Sequence, residues 1–196
     1  MNVLSVLAIL RIFIFLQKVK KETSVGLCQI FKEEINIQKS SLTWTGKKVT
    51  GEHQGSLRFK NGSLVFKNKK LTGGNFAVDM TSLNNTDQTG SDKAKLEGHL
   101  KSADFFYTEG FPTALMKFKN ISSKGKGSYK IIADLTIKGK TNPVTFDLNL
   151  KAKSATAHLV IDRTKYGIQY GSGSFFEDLG DRTIYDEFDL DVALVF

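Results

Sequence analysis

A single cysteine, Cys28, stands in a chain of 196 residues, so no intrachain disulfide is available to staple the fold. Arginine is scarce as well. Arg11, Arg58, Arg163 and Arg182 are the only four, and the net charge of +8 therefore rides on lysine. Proteins that read nucleic-acid sequence lean on arginine forks, and strand binders interleave rings with basic residues on one exposed face. Here lysines alternate with apolar residues along the chain, the mark of a solvated outer face. No nucleic-acid partner is expected, because a basic balance alone supports only non-specific attraction. Attraction to an anionic lipid head group or membrane surface is at least as natural a use of that charge. Rings with a hydrogen-bonding handle are also few. There are 15 Phe against 5 Tyr and 1 Trp, so the interior offers apolar rings with little polar grip.

Catalytic constellations are missing too. His53, His99 and His158 lie in unrelated segments without metal-ligand spacing. Gly139-Lys140-Thr141 resembles the end of a phosphate loop, but Asp134 occupies the place of its first glycine and Asn142-Pro143 follows where a helix should begin. Gly171-Ser-Gly-Ser174 lacks the spacing of a nucleophile elbow. Asp178, Asp181 and Asp186 lack the alternation of a calcium loop. No nucleophile, base and orienting group can be assembled, and the chain reads as a non-enzyme.

The one long apolar run, Val3 to Leu16, is interrupted by Arg11. It is short for a membrane span and suits a signal-peptide core. No basic residue precedes it, however, and Lys18, Lys20 and Lys21 follow, against the usual charge bias of exported chains. Residues 1–40 are thus an apolar leader: an atypical signal peptide, a peripheral anchor or a mis-assigned start. Export to the periplasm, or secretion, is the expectation.

From residue 41 the period is two. Ser56–Lys60 and Ser63–Lys67 flank Asn61-Gly62, a strong signal for a type I′ hairpin. A two-residue loop there would pair Lys60 with Ser63 and Phe59 with Leu64, placing Leu57, Phe59, Leu64 and Phe66 on one face. Phe76, Val78 and Met80 follow a predicted Gly73-Gly74 turn. Alternation recurs at Ala114–Phe118, Tyr129–Ile137, Val144–Leu150, Ala157–Ile161 and Ile184–Leu194. Turns are predicted at Ser123–Gly127, Gly139–Pro143 and Gly171–Gly173. About eight one-sided strands joined by short turns spell an antiparallel barrel or sandwich, with no internal repeat or linker.

One stretch departs from this pattern. Leu96, Leu100, Ala103 and Tyr107 recur at helical spacing, and Phe105, Phe106 and Phe111 crowd together. Gly98 weakens a continuous helix and Ser102 could N-cap a new one, so two short helices with a break near Gly98–Lys101 are predicted. Such an insertion closes one end of a barrel. Whether the barrel is filled by its phenylalanines or left hollow for a slim apolar ligand stays open on side-chain pattern alone. Alternation sends Asp162 and Arg163 to opposite faces. An inward Arg163 needs a carboxylate or a ligand head group, and the buried ion pair is favoured.

Leu100-Lys-Ser-Ala-Asp-Phe-Phe106 with Phe111-Pro112, Leu135-Thr-Ile-Lys-Gly139 with Pro143-Val-Thr-Phe146, and Ile161-Asp-Arg-Thr-Lys-Tyr-Gly-Ile168 together resemble the YceI-like lipid/polyisoprenoid-binding family. The likeness runs from about Ser41 to Phe196, so residues 41–196 are read as one YceI-like lipid-binding domain. The resemblance implies an all-β, eight-stranded antiparallel lipocalin-like β-barrel with one short helical insertion. It also implies an elongated apolar cavity holding a polyisoprenoid chain, and export to the periplasm. The function expected is non-catalytic binding, storage or transport of a long-chain isoprenoid lipid, a prenyl quinone or polyprenyl compound. The alternative is a filled-barrel interaction or stress-protection module without bound lipid. No cofactor is required beyond a bound isoprenoid lipid or quinone. Peripheral membrane contact and a homodimer are the further partners left open. Candidate ligand-binding residues are Phe59, Phe76, Val78, Met80, Leu100, Phe105, Phe106, Phe111, Phe118, Leu135, Phe146, Leu148, Leu159, Ile161 and Arg163, with no catalytic or metal-binding residue among them. His99 and Lys101 are candidate neighbours of an anionic head group, although a solvated surface is the plainer place for Lys101.

Overall fold

Strands that carry apolar residues on one side only must turn that side toward each other, and these do so by closing into a ring. The computed structural model describes residues 29–196, so the apolar run Val3–Leu16 lies outside the described residues. Its strands are β1 (Ile30–Glu34), β2 (Ser41–Lys48), β3 (Gly51–Lys67), β4 (Lys70–Asn85), β5 (Thr113–Gly125), β6 (Ser128–Ile137), β7 (Lys140–Leu150), β8 (Ser154–Asp162) and β9 (Ile184–Val195). Each strand from β2 to β9 pairs antiparallel with its neighbour in sequence, and β2 pairs with β9 to close an eight-stranded barrel. Closure gives every barrel strand a partner on both sides. The short β1 adds to β3 at Ser63–Lys67, beyond the Gly51–Leu57 stretch that β2 covers.

The predicted Asn61-Gly62 hairpin is not there. β3 runs straight through it, and Phe59 faces Val78 while Ser63 faces Asn75. The turn sits at Asn68-Lys69, both with positive φ, as a two-residue hairpin loop requires. The face assignment nevertheless survives. A β-bulge between Phe59 and Asn61 inserts one residue, which inverts the alternation as a turn would have done. Leu64 and Phe66 are accordingly buried with Phe59, and Leu57 packs against the same core. Gly62 is glycine for packing: a Cβ there would lie 2.5 Å from the Phe76 ring. The Gly73-Gly74 turn is corrected in the same way. Both residues are inside β4, and a Cβ on Gly74 would stand 2.6 Å from the Phe118 ring.

The Gly139–Pro143 turn is tighter than predicted. It consists of Lys138-Gly139, and Pro143 lies within β7 opposite Asp134. Pro143 is tolerated because β7 pairs with β8 only over Asp147–Leu150. Lys126-Gly127 makes the corresponding turn between β5 and β6.

The helix, α1, spans Gly90–Lys101 without a break, earlier in sequence than predicted. Gly98 sits inside it with open space beside it, and Ser102 ends it, its hydroxyl donating to the His99 carbonyl at 2.8 Å. Ala103 and Tyr107 are not helical, and Phe105, Phe106 and Phe111 belong to the turns that lead into β5. Only Leu100 on α1 is buried. The helix is held on the barrel by Glu97, which accepts from the Asn85 backbone N–H at 2.8 Å, and by Lys93, which donates to Asn84 at 2.9 Å. It covers the end where β4 finishes and β5 begins.

Candidate functional site

The barrel is hollow. A cavity of about 290 Å³ runs between the inward faces of its strands and the underside of α1. That volume is near the lower bound of ordinary ligand pockets, of roughly 300–1,000 Å³. Its wall is almost wholly apolar. Phe59, Phe76, Phe118 and Phe146, from β3, β4, β5 and β7, form a ladder of rings with centroids 6.3, 5.6 and 5.9 Å apart. Opposite them β9 contributes Phe188, Leu190, Val192 and Leu194. The polar lining residues gather at the α1 end: Lys47 and Lys48 on β2, His53 on β3, His99, Arg163, Tyr185 and Glu187. One end is therefore apolar, and the other is polar.

Thirteen of the fifteen residues expected to bind ligand line this cavity; Phe111 and Ile161 do not. Phe111 is 36% exposed and stacks edge-on with Tyr107, its ring edge against Gly139. It braces the outside of the β6–β7 turn. Ile161 is inward but 1% exposed, sealed in the packed wall near the end of β8. Lys101 is absent from the lining and faces Glu97 at 3.9 Å, whereas His99 does line it. Sequence reasoning left out Leu42, Trp44, Leu57, Met116 and the β9 side chains. The β9 residues, Leu57 and Met116 all carry the period-two signal. For Leu42 and Trp44 that signal spans only two apolar residues.

Arg163 is engaged by the protein itself. At 2% exposed, it donates through Nε to the Tyr185 carbonyl at 3.0 Å, through Nη1 to Ile168 at 2.8 Å and through Nη2 to Ile184 at 2.9 Å. Asp186 stands 3.7 Å away. Burial pulls the guanidinium pKa below its ordinary value, and the neighbouring Asp186 and Asp162 offset only part of that fall. Its Cζ lies over the Phe105 ring, 5.5 Å from the ring centre, within cation–π range. Its position is set by Arg163–Tyr166, a 3-10 turn in which Asp162 accepts from the Thr164 N–H and hydroxyl. Burial raises the Asp162 pKa, but those hydrogen bonds outweigh it and hold the carboxyl below its ordinary value. Tyr166, 1% exposed, has its phenol pushed up to about 12 by burial and by Asp162.

Phe105 and Phe106 form the roof. Phe105 meets Phe106 at 5.1 Å and His99 at 5.5 Å, and Phe106 meets Phe188 at 6.2 Å. His99 also meets Tyr170 at 4.4 Å. These contacts tie the turns after α1 to β9 and to the loop that precedes it.

The YceI-like domain family matches residues 34–196. A UPF0312 protein of Shewanella denitrificans is 34% identical over 85 residues, covering 43% of this chain and 42% of that protein. A UPF0312 protein of Staphylococcus aureus is 38% identical over 85 residues, covering 38% of this chain and 47% of that protein. The matched segment thus spans under half the length of these curated relatives. The crystal structure of Burkholderia cenocepacia BcnA superposes with a TM-score of 0.67 at 21% identity, covering 83% of this chain and 99% of that one. A polyisoprenoid binding domain from Saccharophagus degradans superposes with a TM-score of 0.56 at 14% identity, covering 85% of this chain and 97% of that one. At these identities the superpositions establish the barrel.

Proposed function

This chain belongs to the YceI-like family, and from that premise we propose that it binds a long-chain isoprenoid lipid, a prenyl quinone or polyprenyl compound, in the barrel cavity. It stores or carries that lipid without transforming it. The observation that carries this reading is the apolar cavity of about 290 Å³, with its polar lining residues gathered at one end. The Saccharophagus degradans domain named for polyisoprenoid binding shares the architecture and adds support.

The energetics fit a chain-like ligand. Burial of each methylene contributes roughly 0.8 kcal/mol. About a dozen give on the order of 10 kcal/mol gross, against association costs of roughly 4–15 kcal/mol. Affinity therefore grows with the number of methylenes buried, and a long chain binds more tightly than a short one. The walls are already in place, so little of that gain goes into ordering them. An open space lined by the Phe ladder also weighs against a barrel filled by its own rings.

Solvent extraction of the protein purified from its native host, followed by mass spectrometry, tests the proposal. A stoichiometric isoprenoid species is expected. Protein that carries no lipid, and takes up none when ubiquinone is added, would sink it.

A further inference from the structure

A closed barrel keeps its contents unless two of its strands part. β2 and β9, the pair that closes this one, stay in register from Ser41 opposite Ala193 to Gly46 opposite Phe188. Lys48 next pairs with Ile184, so Lys47 alone stands against Tyr185, Asp186 and Glu187. Pairing of β9 with β8 ends at Glu187, which leaves Tyr185 and Asp186 without a strand partner on either side among the described residues. Surplus residues in one strand of a pair push it out of the sheet. Here side chains secure the displaced stretch. Arg163 donates to the carbonyls of Ile184 at 2.9 Å and Tyr185 at 3.0 Å, and the Ser174 hydroxyl donates to Asp186 at 2.6 Å.

The cavity meets the surface at this parting. A groove of about 440 Å³ is lined by Val160 on β8, Asp189 on β9, and Gly173 and Ser174 in the loop before β9. Lys47, Ile184, Tyr185 and Glu187 line both that groove and the barrel cavity. β7 and β8 also part, since they pair only over Asp147–Leu150 on β7. That seam is plugged. The 3-10 turn Arg163–Tyr166 is bound to β7 through Asn142, which donates to the Lys165 carbonyl at 3.0 Å. Tyr166 is buried there and does not line the cavity.

We propose that the parting between β2 and β9 is the portal through which lipid enters and leaves the barrel, with the outer groove as its vestibule and the Lys47–Asp189 pair as its latch. This inference rests on the lipid-binding reading above and adds the route. Strands held in register lie roughly 4.8 Å apart with hydrogen bonds between them, so a lipid chain passes only where pairing is already lost. Lys47 reaches from β2 to Asp189 on β9 at 2.8 Å. Its side chain is 45% exposed, and an ion pair so open to water is weak enough to release readily. Arg163 holds the frame of the portal by fixing the displaced stretch.

A portal governs rates, because whatever obstructs it slows entry and exit alike. Val160 lines the groove but not the cavity, is 52% exposed and pairs with Asp189. On a Cys28→Ser background, a bulky maleimide attached at Val160→Cys plugs the vestibule from outside. Stopped-flow quenching of Trp44, the sole tryptophan, by decylubiquinone reads entry into the lipid-stripped full chain. Transfer of bound decylubiquinone to phosphatidylcholine vesicles reads exit. The label should lower both rate constants by the same factor, roughly fivefold or more, and leave the dissociation constant unchanged. The same label at Thr156→Cys, exposed on the same face of β8 about 13 Å away, should change neither rate. Asp189→Asn, which releases Lys47, should raise both rates about two- to fivefold. A label at Val160→Cys that leaves both rates unchanged, acts no differently from one at Thr156→Cys, or weakens affinity without slowing entry overturns the portal while lipid binding stands. No quenching by decylubiquinone in the unlabelled chain overturns both.

Discussion

Ala157 on β8 lines the cavity, flanked across the sheet by Leu148 and Val192. Replacing it with leucine separates a hollow barrel from a filled one by the sign of the effect. Leucine adds three carbons at a wall position. If they enter open space, burial gains up to roughly 2.4 kcal/mol, less about 0.5–1 kcal/mol of rotamer entropy. Lipid-free Ala157→Leu should therefore be about 1–2 kcal/mol more stable in urea melts. In a packed core the same three carbons would overfill the site and destabilise by roughly 1–3 kcal/mol. The ligand meets the reverse. Space for about three methylenes of its chain is lost, which weakens binding by roughly fiftyfold at 0.8 kcal/mol per methylene. The assay pairs a urea titration of stripped protein with a decylubiquinone binding isotherm. A destabilised variant that binds as tightly as before would refute both the hollow barrel and the place assigned to the ligand.

Other outcomes follow from the same geometry. Phe106→Lys puts a cation beside the roof ring Phe105 and β9 Phe188, where its stem can snorkel to the polar end; lipid uptake should fall more than tenfold, while the melting temperature shifts little. Burial and Asp162 push the Tyr166 phenol up to about 12 in the fold, but its unfolded counterpart ionises near pH 10. Stability should thus fall as pH rises from about 10 to 12, by roughly 2–3 kcal/mol in full, and Tyr166→Phe should flatten that slope in alkaline urea melts. Gly62→Ala places a methyl 2.5 Å from the Phe76 ring and 2.9 Å from Ile35; it should destabilise by about 1–3 kcal/mol, and Phe76→Leu in the same chain should recover part of that loss. A Gly62→Ala variant as stable as the parent would mean that the close approach is not a constraint.

Legibility in the sequence tracks how local each determinant is. The strands from β5 to β9 announce themselves because Ala133, Leu135 and Ile137 bury one face while Lys130 and Asp134 wet the other. The β3–β4 hairpin is not legible in the sequence because a bulge at Lys60 and a turn at Asn61-Gly62 invert the alternation identically. Asn68-Lys69, which makes the turn, contains no glycine to betray it, while Gly62 and Gly74 are glycine for the rings of Phe76 and Phe118, distant in sequence. Helical spacing at Leu96 and Leu100 was sound, but the mostly polar α1 offers little else to fix its ends. For the cavity, alternation supplies the side a residue faces, not the level the cavity reaches; Ile161 faces inward and is sealed. Phe111 follows an irregular turn, where no period applies. Unpaired atoms such as Trp44 Nε1 have no sequence signal, because being unpaired is a property of the surroundings.

Trp44 also supplies the most direct measurement, since it lines the cavity and no other tryptophan competes with it. Titrating stripped protein with decylubiquinone while following tryptophan fluorescence reports whether a lipid enters the barrel. Saturable quenching that ends at one ligand per chain, and that Ala157→Leu weakens, is the predicted result. Quenching that rises linearly without saturation, as free quinone in solution would give, would contradict an occupied cavity.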